Sequence, residues 1–213
     1  MKVGILGTGD VGKALGRGFV SLGHSVLMGA REAGNPKALA WVQEAGARAS
    51  AGTFTQAAQS GEVVVIATLG SVTEDVLRGV GPDPFNGKLV LDATNPLDFS
   101  KGSPRLLGGV GDSGGERHQK LLAGAHVVKA FNTVGNAFMF KPDLPGGPPD
   151  MFICGNDDGA KSKASSIIRD FGFGVLDCGG IDSAHFLESM CMVWVLSAMK
   201  AGSWAQAFKM LRK

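Results

Sequence analysis

The stretch Lys2-Val3-Gly4-Ile5-Leu6-Gly7-Thr8-Gly9-Asp10-Val11-Gly12 decides the fold of this chain. Lys2 to Leu6 is short and apolar and predicts a buried strand. The glycine turn Gly7 to Gly12 follows at once, and Val11, Ala14, Leu15, Gly18, Phe19 and Leu22 then recur at helical spacing. Strand, tight turn and helix in that order form the diphosphate-binding opening of a dinucleotide fold. Gly7 turns where a side chain would clash, Gly9 lets the backbone approach a phosphate, and Gly12 lets the helix pack closely on the strand. The N–H groups of the first helical turn point at the anion, and the helix dipole favours it there. Glycine turns are common in a chain with 33 glycines, so the reading rests on context, and a second strand, Ser25 to Met28, arrives on schedule.

The residues just past that second strand choose the cofactor. An acid there holds the ribose 2′-hydroxyl of NAD, whereas an arginine accommodates the 2′-phosphate of NADP. The chain reads Met28-Gly29-Ala30-Arg31-Glu32. Small Ala30 leaves room and Arg31 can fork onto a phosphate, so NADP(H) is the expected cofactor. The competing reading has Arg31 solvated and Glu32 on the ribose.

Further along, Asn35-Pro36 starts a helix to about Ala45, and Thr53 caps a short one. Val63-Val64-Val65-Ile66-Ala67 is continuous and apolar, as a central parallel strand covered on both faces is. Thr68-Leu69-Gly70-Ser71 comes after its end, then a helix near Thr73 to Val80. A strand from Lys88 to Asp92 ends in Asn95-Pro96, and another from His126 to Phe131 ends in Asn132-Thr133. Ligands of open α/β sheets bind just beyond such ends. Thr68, Leu69, Asn95, Pro96, Asn132 and Thr133 are therefore expected along one nicotinamide pocket. The segment Ser100 to Gly115 reads as an irregular glycine-rich loop that could cover a second substrate. The expected fold class is α/β: a Rossmann-type doubly wound parallel sheet with a smaller C-terminal α/β-helical part. The expected division, at the proline- and glycine-rich Pro142 to Pro149, gives an NADP-binding domain over 1–141 and a smaller dimerisation and acceptor-cleft part over 150–213. The final helix, from Asp182 to about Ala201, is apolar on more than one face, which suits a shared surface in a homodimer.

Composition narrows the function classes. The chain has 213 residues, 44% of them hydrophobic and 19% charged, and a net charge of +2, which predicts no strong attraction to nucleic acid or membrane. Cys154, Cys178 and Cys191 are odd in number and widely spaced, giving neither a disulfide framework nor a metal motif. Reduced thiols and no visible signal peptide suit a cytoplasmic protein.

The chemistry that is missing is informative too. The chain has no tyrosine, which excludes a Tyr-Lys proton relay, and no His-Glu-x-x-His, Cys-x-x-Cys or serine nucleophile elbow. His118, His126 and His185 are the candidate bases, each read as structural, so no catalytic residue is assigned. Hydride transfer between NADPH and a flavin-like ring needs stacking and positioning more than an acid or base.

Several segments carry a family resemblance: Gly7-Thr8-Gly9-Asp10-Val11-Gly12, Gly29-Ala30-Arg31, Asn95-Pro96-Leu97, Val128-Lys129-Ala130-Phe131-Asn132-Thr133, and Asp177-Cys178-Gly179-Gly180-Ile181 with Leu187-Glu188. In this order they resemble the NADPH-dependent reductases of the deazaflavin coenzyme F420, and the oxidoreductase domain of the STEAP ferric reductases is similar. The resemblance covers nearly the whole chain. It implies NADP contacts from Thr8, Gly9, Asp10, Val11, Arg31, Thr68, Asn132 and Thr133, with F420 or a flavin as hydride acceptor stacked on the nicotinamide. On the acceptor side this chain has Thr68-Leu69-Gly70-Ser71 where the family often has a proline after the fourth strand. It has His185 where an arginine is frequent. A different class, an NADPH-binding sensor without turnover, remains open, since one fold hosts both.

Overall fold

In the computed structural model, which describes residues 1–211 and 213, the chain forms ten strands and seven α-helices. In order they are β1 (Lys2–Leu6), α1 (Asp10–Ser21), β2 (Ser25–Ala30), α2 (Pro36–Ala45), β3 (Ala49–Thr53), α3 (Phe54–Ser60), β4 (Val63–Ile66) and α4 (Gly70–Val80). Next come β5 (Leu89–Asp92), β6 (Leu97–Asp98), β7 (Arg105–Leu106), α5 (Gly114–Leu121) and β8 (His126–Lys129). The last are β9 (Asp150–Gly155), α6 (Asp158–Asp170), β10 (Gly174–Asp177) and α7 (Ala184–Ala201).

Eight strands make one sheet in the order β10-β9-β8-β5-β4-β1-β2-β3. From β3 to β8 neighbours run parallel, β9 is antiparallel to β8, and β10 is parallel to β9. This is the expected doubly wound α/β fold, and the C-terminal stretch lengthens the same sheet.

The apolar run of β4 divides between two cores. Val63 and Val65 pack with Ile5, Leu15, Phe19, Trp41, Ile167 and Phe171 on the face of α1, α2 and α6. Val64 and Ile66 pack with Leu6, Ala57, Leu77, Leu122 and Leu187 on the face of α3, α4 and α7. A strand with both faces covered shows no alternation, because neither face meets water.

Local chemistry sets the helix starts. Asn35 Oδ1 accepts from the amides of Lys37 and Ala38, and Thr53 with Gln56 and Ser113 with Glu116 form reciprocal capping boxes. Asp157 accepts from the Ala160 amide at the start of α6.

Three differences from the sequence reading bear on the site. Helix α4 starts at Gly70, earlier than Thr73. The glycine-rich segment after β5 carries the small antiparallel hairpin β6–β7, pairing Leu97 with Leu106 and Asp98 with Arg105. Strand β8 stops at Lys129, because Phe131 takes a left-handed backbone (φ 60°) that ends extended pairing. Such a φ disfavours a residue with a Cβ by about 1–2 kcal/mol. Burial compensates: the Phe131 ring lies 5.4 Å from Phe171 and 6.0 Å from Phe173, and Phe171 also meets Phe19 at 4.8 Å and Phe140 at 5.2 Å. Contacts of this kind are worth about 0.5–1.5 kcal/mol each beyond their area.

Candidate functional site

The first wall of the site is the turn between β1 and α1. Gly7 has φ 131°, a conformation closed to ordinary side chains, and its amide donates to Gly29 O at 3.1 Å. A Cβ on Gly7 would strike the Ala67 carbonyl and come within 3.0 Å of Thr68 N, and one on Gly12 would strike the Gly7 carbonyl. Around Gly9 a Cβ would meet nothing within 4 Å, so that position opens to solvent. Gly9 is the N-cap of α1 and offers no side chain, so the first-turn amides lack the side-chain cap found on α2, α3, α5 and α6. Uncapped amides at a helix start can hold an anion. Thr8 and Val11 are half-buried and Asp10 is exposed beside them.

The strand ends continue this wall. Thr68 Oγ1 lies 2.8 Å from Thr73 Oγ1, and Thr73 Oγ1 donates to Leu69 O at 3.0 Å. Leu69 is 76% exposed, an apolar residue left at the rim. A Cβ on Gly70 would press on the Asn95 backbone and lie 2.8 Å from Pro96 Cα, so α4 begins directly against the β5 end. Asn95 Nδ2 donates to Asn132 O at 2.9 Å, and Asn132 Nδ2 donates both to Asn95 Oδ1 at 3.0 Å and to Leu187 O at 2.9 Å. Asn132 Oδ1 is buried with no hydrogen-bond partner among the described residues. Buried polar atoms are rarely left unpaired, which makes this one a vacant acceptor. Thr133, next in sequence, is buried, and the Pro96 carbonyl accepts from Leu107 N at 2.8 Å, tying the hairpin to the same row.

Ala30 is buried at the end of β2, and Arg31 beyond it is exposed, with no ion pair among the described residues. Arg31 lines a cleft of about 320 Å³ with Thr53, Phe54, Val72, Asp75 and Val76. No other residue expected to bind the cofactor lines that cleft.

Beneath the strand ends lies a buried cluster of charges. Lys129 Nζ, fully inaccessible, contacts Asp92 Oδ2 at 3.0 Å and Glu188 Oε1 at 3.0 Å and donates to Thr94 O at 2.8 Å. Asp92 Oδ1 accepts from the Thr94 amide and hydroxyl at 2.9 and 2.7 Å, and Oδ2 lies 2.9 Å from His118 Nδ1. Glu188 accepts from the amides of Gly114 and Gly115 at 3.1 and 3.0 Å. Burial by itself raises the Asp92 carboxyl, but the Lys129 ammonium and His118 outweigh it and hold Asp92 well below the usual carboxylate range. Burial likewise lowers Lys129, and Asp92 with Glu188 reverse that and raise it.

Against known proteins, residues 2–96 match the family model described as NADP oxidoreductase, coenzyme F420-dependent. A crystal structure from Arthrobacter sp. FB24, described as a candidate F420-dependent NADP reductase, is 34% identical, with each chain covered in full and a TM-score of 0.93. The chain belongs to the F420-dependent NADP oxidoreductase family. The F420-dependent NADP reductase of Methanothermobacter marburgensis is 29% identical, with 89% of each chain covered. Metalloreductase STEAP3 of Rattus norvegicus is 31% identical over 89% of this chain, which spans only 36% of that protein's length. No helix among the described residues is long and apolar enough to cross a membrane.

For this member of the F420-dependent family, the structure brings Gly7, Thr68, Asn95, Pro96 and Asn132 into one contiguous row and sets Arg31 apart in its own cleft. The three candidate histidines face inward or into local pairs. His118 meets Asp92, His126 Nδ1 is 3.6 Å from Asp157, and His185 Nδ1 lies 2.7 Å from Asp182 O. Sequence reasoning missed Asp92, Thr94, Lys129 and Glu188 as a unit. The available signal was a charged residue in each of three apolar runs, Leu89–Asp92, Val127–Phe131 and Phe186–Met199.

Proposed function

We propose that the chain moves a hydride between NADP(H) and a deazaflavin or flavin ring, with F420 as the first acceptor to test. The observation that carries this reading is the contiguous wall itself. It starts at the uncapped amides of α1 and continues into the paired amides of Asn95 and Asn132. The titratable groups packed beneath Asn95 and Asn132, namely Asp92, His118, Lys129 and Glu188, are buried and engaged with one another. That fits a reaction governed by placement of two rings rather than by a protein acid or base.

In this reading the amides at Gly9, Asp10, Val11 and Gly12 hold the diphosphate, and Thr8 flanks it. Arg31, beside small Ala30, takes the 2′-phosphate, and the cleft it lines takes the adenosine. Thr68 and Leu69 lie over the ribose. Asn95, Pro96, Asn132 and Thr133 back the nicotinamide and fix the ring's plane. The bound nicotinamide supplies the hydride, and an acceptor ring disperses the arriving charge itself. Residues 150–213 form the smaller part that walls the acceptor side. The free thiols Cys154, Cys178 and Cys191 suit a reducing cytoplasm.

The test is a panel of NADPH oxidation assays with F420, FMN, FAD and riboflavin. Oxidation is expected with F420 or a free flavin. Tight NADPH binding with no oxidation by any acceptor overturns the enzyme reading in favour of a sensor.

Helix α7 carries an exposed apolar face, with Phe186, Val193, Leu196 and Met199 each more than half exposed. We infer a homodimer through this face, since exposed apolar side chains gathered on one helix suit an interface. Sedimentation at micromolar concentration is expected to give a dimer, and Val193→Glu a monomer. A monomeric parent protein overturns the assignment.

A further inference from the structure

Under the proposed nicotinamide wall lies a set of buried charges to which the hydride step itself assigns no role. Besides the contact of Asp92 with His118, its hydrogen bonds fix two segments. Thr94 is held at three points: its amide and hydroxyl by Asp92 Oδ1, and its carbonyl by Lys129 Nζ. Asn95 is the next residue. Glu188 is held by Lys129 and by the amides of Gly114 and Gly115. Its neighbour Leu187 supplies the carbonyl that receives Asn132 Nδ2. Asn95 therefore adjoins one member of the cluster in sequence, and Asn132 is hydrogen-bonded to a residue that adjoins another. Lys129 joins the two.

A buried ion cluster is seldom more stable than apolar side chains of the same volume. What it adds is direction, because each hydrogen bond fixes an angle as well as a distance. We propose that Glu188, acting through Lys129, is a positioning residue for hydride transfer: it sets the register of α7 against the β5 end so that Asn95 and Asn132 stay paired and present one edge to the nicotinamide. This rests on the reading that the nicotinamide lies against those two residues.

The test compares the full-length parent with Glu188→Gln, Asn95→Ala and the double variant. Glu188→Gln keeps the volume and removes the charge. NADPH affinity is expected to stay within about twofold, because the phosphates are gripped elsewhere. The fluorescence anisotropy of bound NADPH falls as the ring loosens. The single-turnover hydride rate falls about tenfold, the scale expected of slight misplacement of reacting groups. Residues that act as a unit are non-additive, so the double variant is expected to be no slower than Asn95→Ala alone. Glu188→Gln with parental anisotropy and rate, or a double variant showing the full product of both losses, overturns the proposal.

Should Glu188→Gln fail to fold, Gly114→Ala decides by the same criteria. It keeps every charge and places a Cβ 3.0 Å from Glu188 Oε1 and 3.4 Å from the Pro96 ring. A parent protein that binds no NADPH overturns the cofactor reading and this proposal together. A parent that binds NADPH but reduces no acceptor overturns the hydride reading alone, and the anisotropy comparison still decides the positioning role.

Discussion

Lys129→Met is expected to lower the free energy of unfolding by about 3–5 kcal/mol, the usual cost of removing one partner from a buried pair and leaving the other charged. Here two carboxylates are left, Asp92 and Glu188, both inaccessible to water. Methionine matches the lysine stem, so the loss reports charge rather than a cavity. Urea unfolding of both proteins measures it, and a change under about 1 kcal/mol, the scale of exposed ion pairs, would show that the cluster holds little. The pH dependence arises from the same groups. Asp92 is depressed in the folded state, so its stabilisation is complete above the ordinary carboxylate range and is lost as pH falls below about 4. Lys129 is raised, so its contribution persists at neutral pH and is lost only as pH climbs past the ordinary lysine range. The parent is expected to unfold steeply in acid, and Lys129→Met with a shallower slope.

Arg31→Ala is expected to weaken NADPH binding about ten- to a hundredfold and to leave NADH binding unchanged. A charge-assisted hydrogen bond of about 1.5–3 kcal/mol corresponds to that range, and the exposure of Arg31 favours its lower end. The cleft beside Arg31 offers no second cation to substitute for it, since Thr53, Phe54, Val72, Asp75 and Val76 line it. Titration of both nucleotides by fluorescence measures the ratio. An undiminished preference for NADPH would move the 2′-phosphate elsewhere and return Glu32 to the ribose.

The β1–α1 turn was open to reading because its signals are local. Gly7 and Gly12 belong to one short motif: Gly12 packs against Gly7 itself, and Gly7 packs against the Ala67–Thr68 backbone where the neighbouring parallel strand β4 ends. Likewise β4 announced its two-sided burial by composition alone. The hairpin β6–β7 was hidden because its strands are two residues long and lie among glycines and serines, where turn chemistry masks pairing. The early end of β8 was hidden because Phe131 is a strand-forming residue whose left-handed backbone is imposed by tertiary packing. The buried cluster was least legible. Its bonds join residues 26, 35 and 74 positions apart, and no window along the sequence contains both partners. A lone lysine within Val127-Val128-Lys129-Ala130-Phe131 could point to it, but its partners are fixed only when β5 and α7 are placed beside β8.

The clamp on Gly114 and Gly115 also imposes an order on biosynthesis. A nascent chain that has left the ribosome through β8 already owns Lys129 and Asp92, while Glu188 is still to be translated. Until α7 arrives, the two amides at the head of α5 remain hydrated and the lysine leans on one carboxylate instead of two. The amino-terminal strands can thus assemble early as translation proceeds, whereas the β5 end beside α5 takes its final form only when the last helix docks.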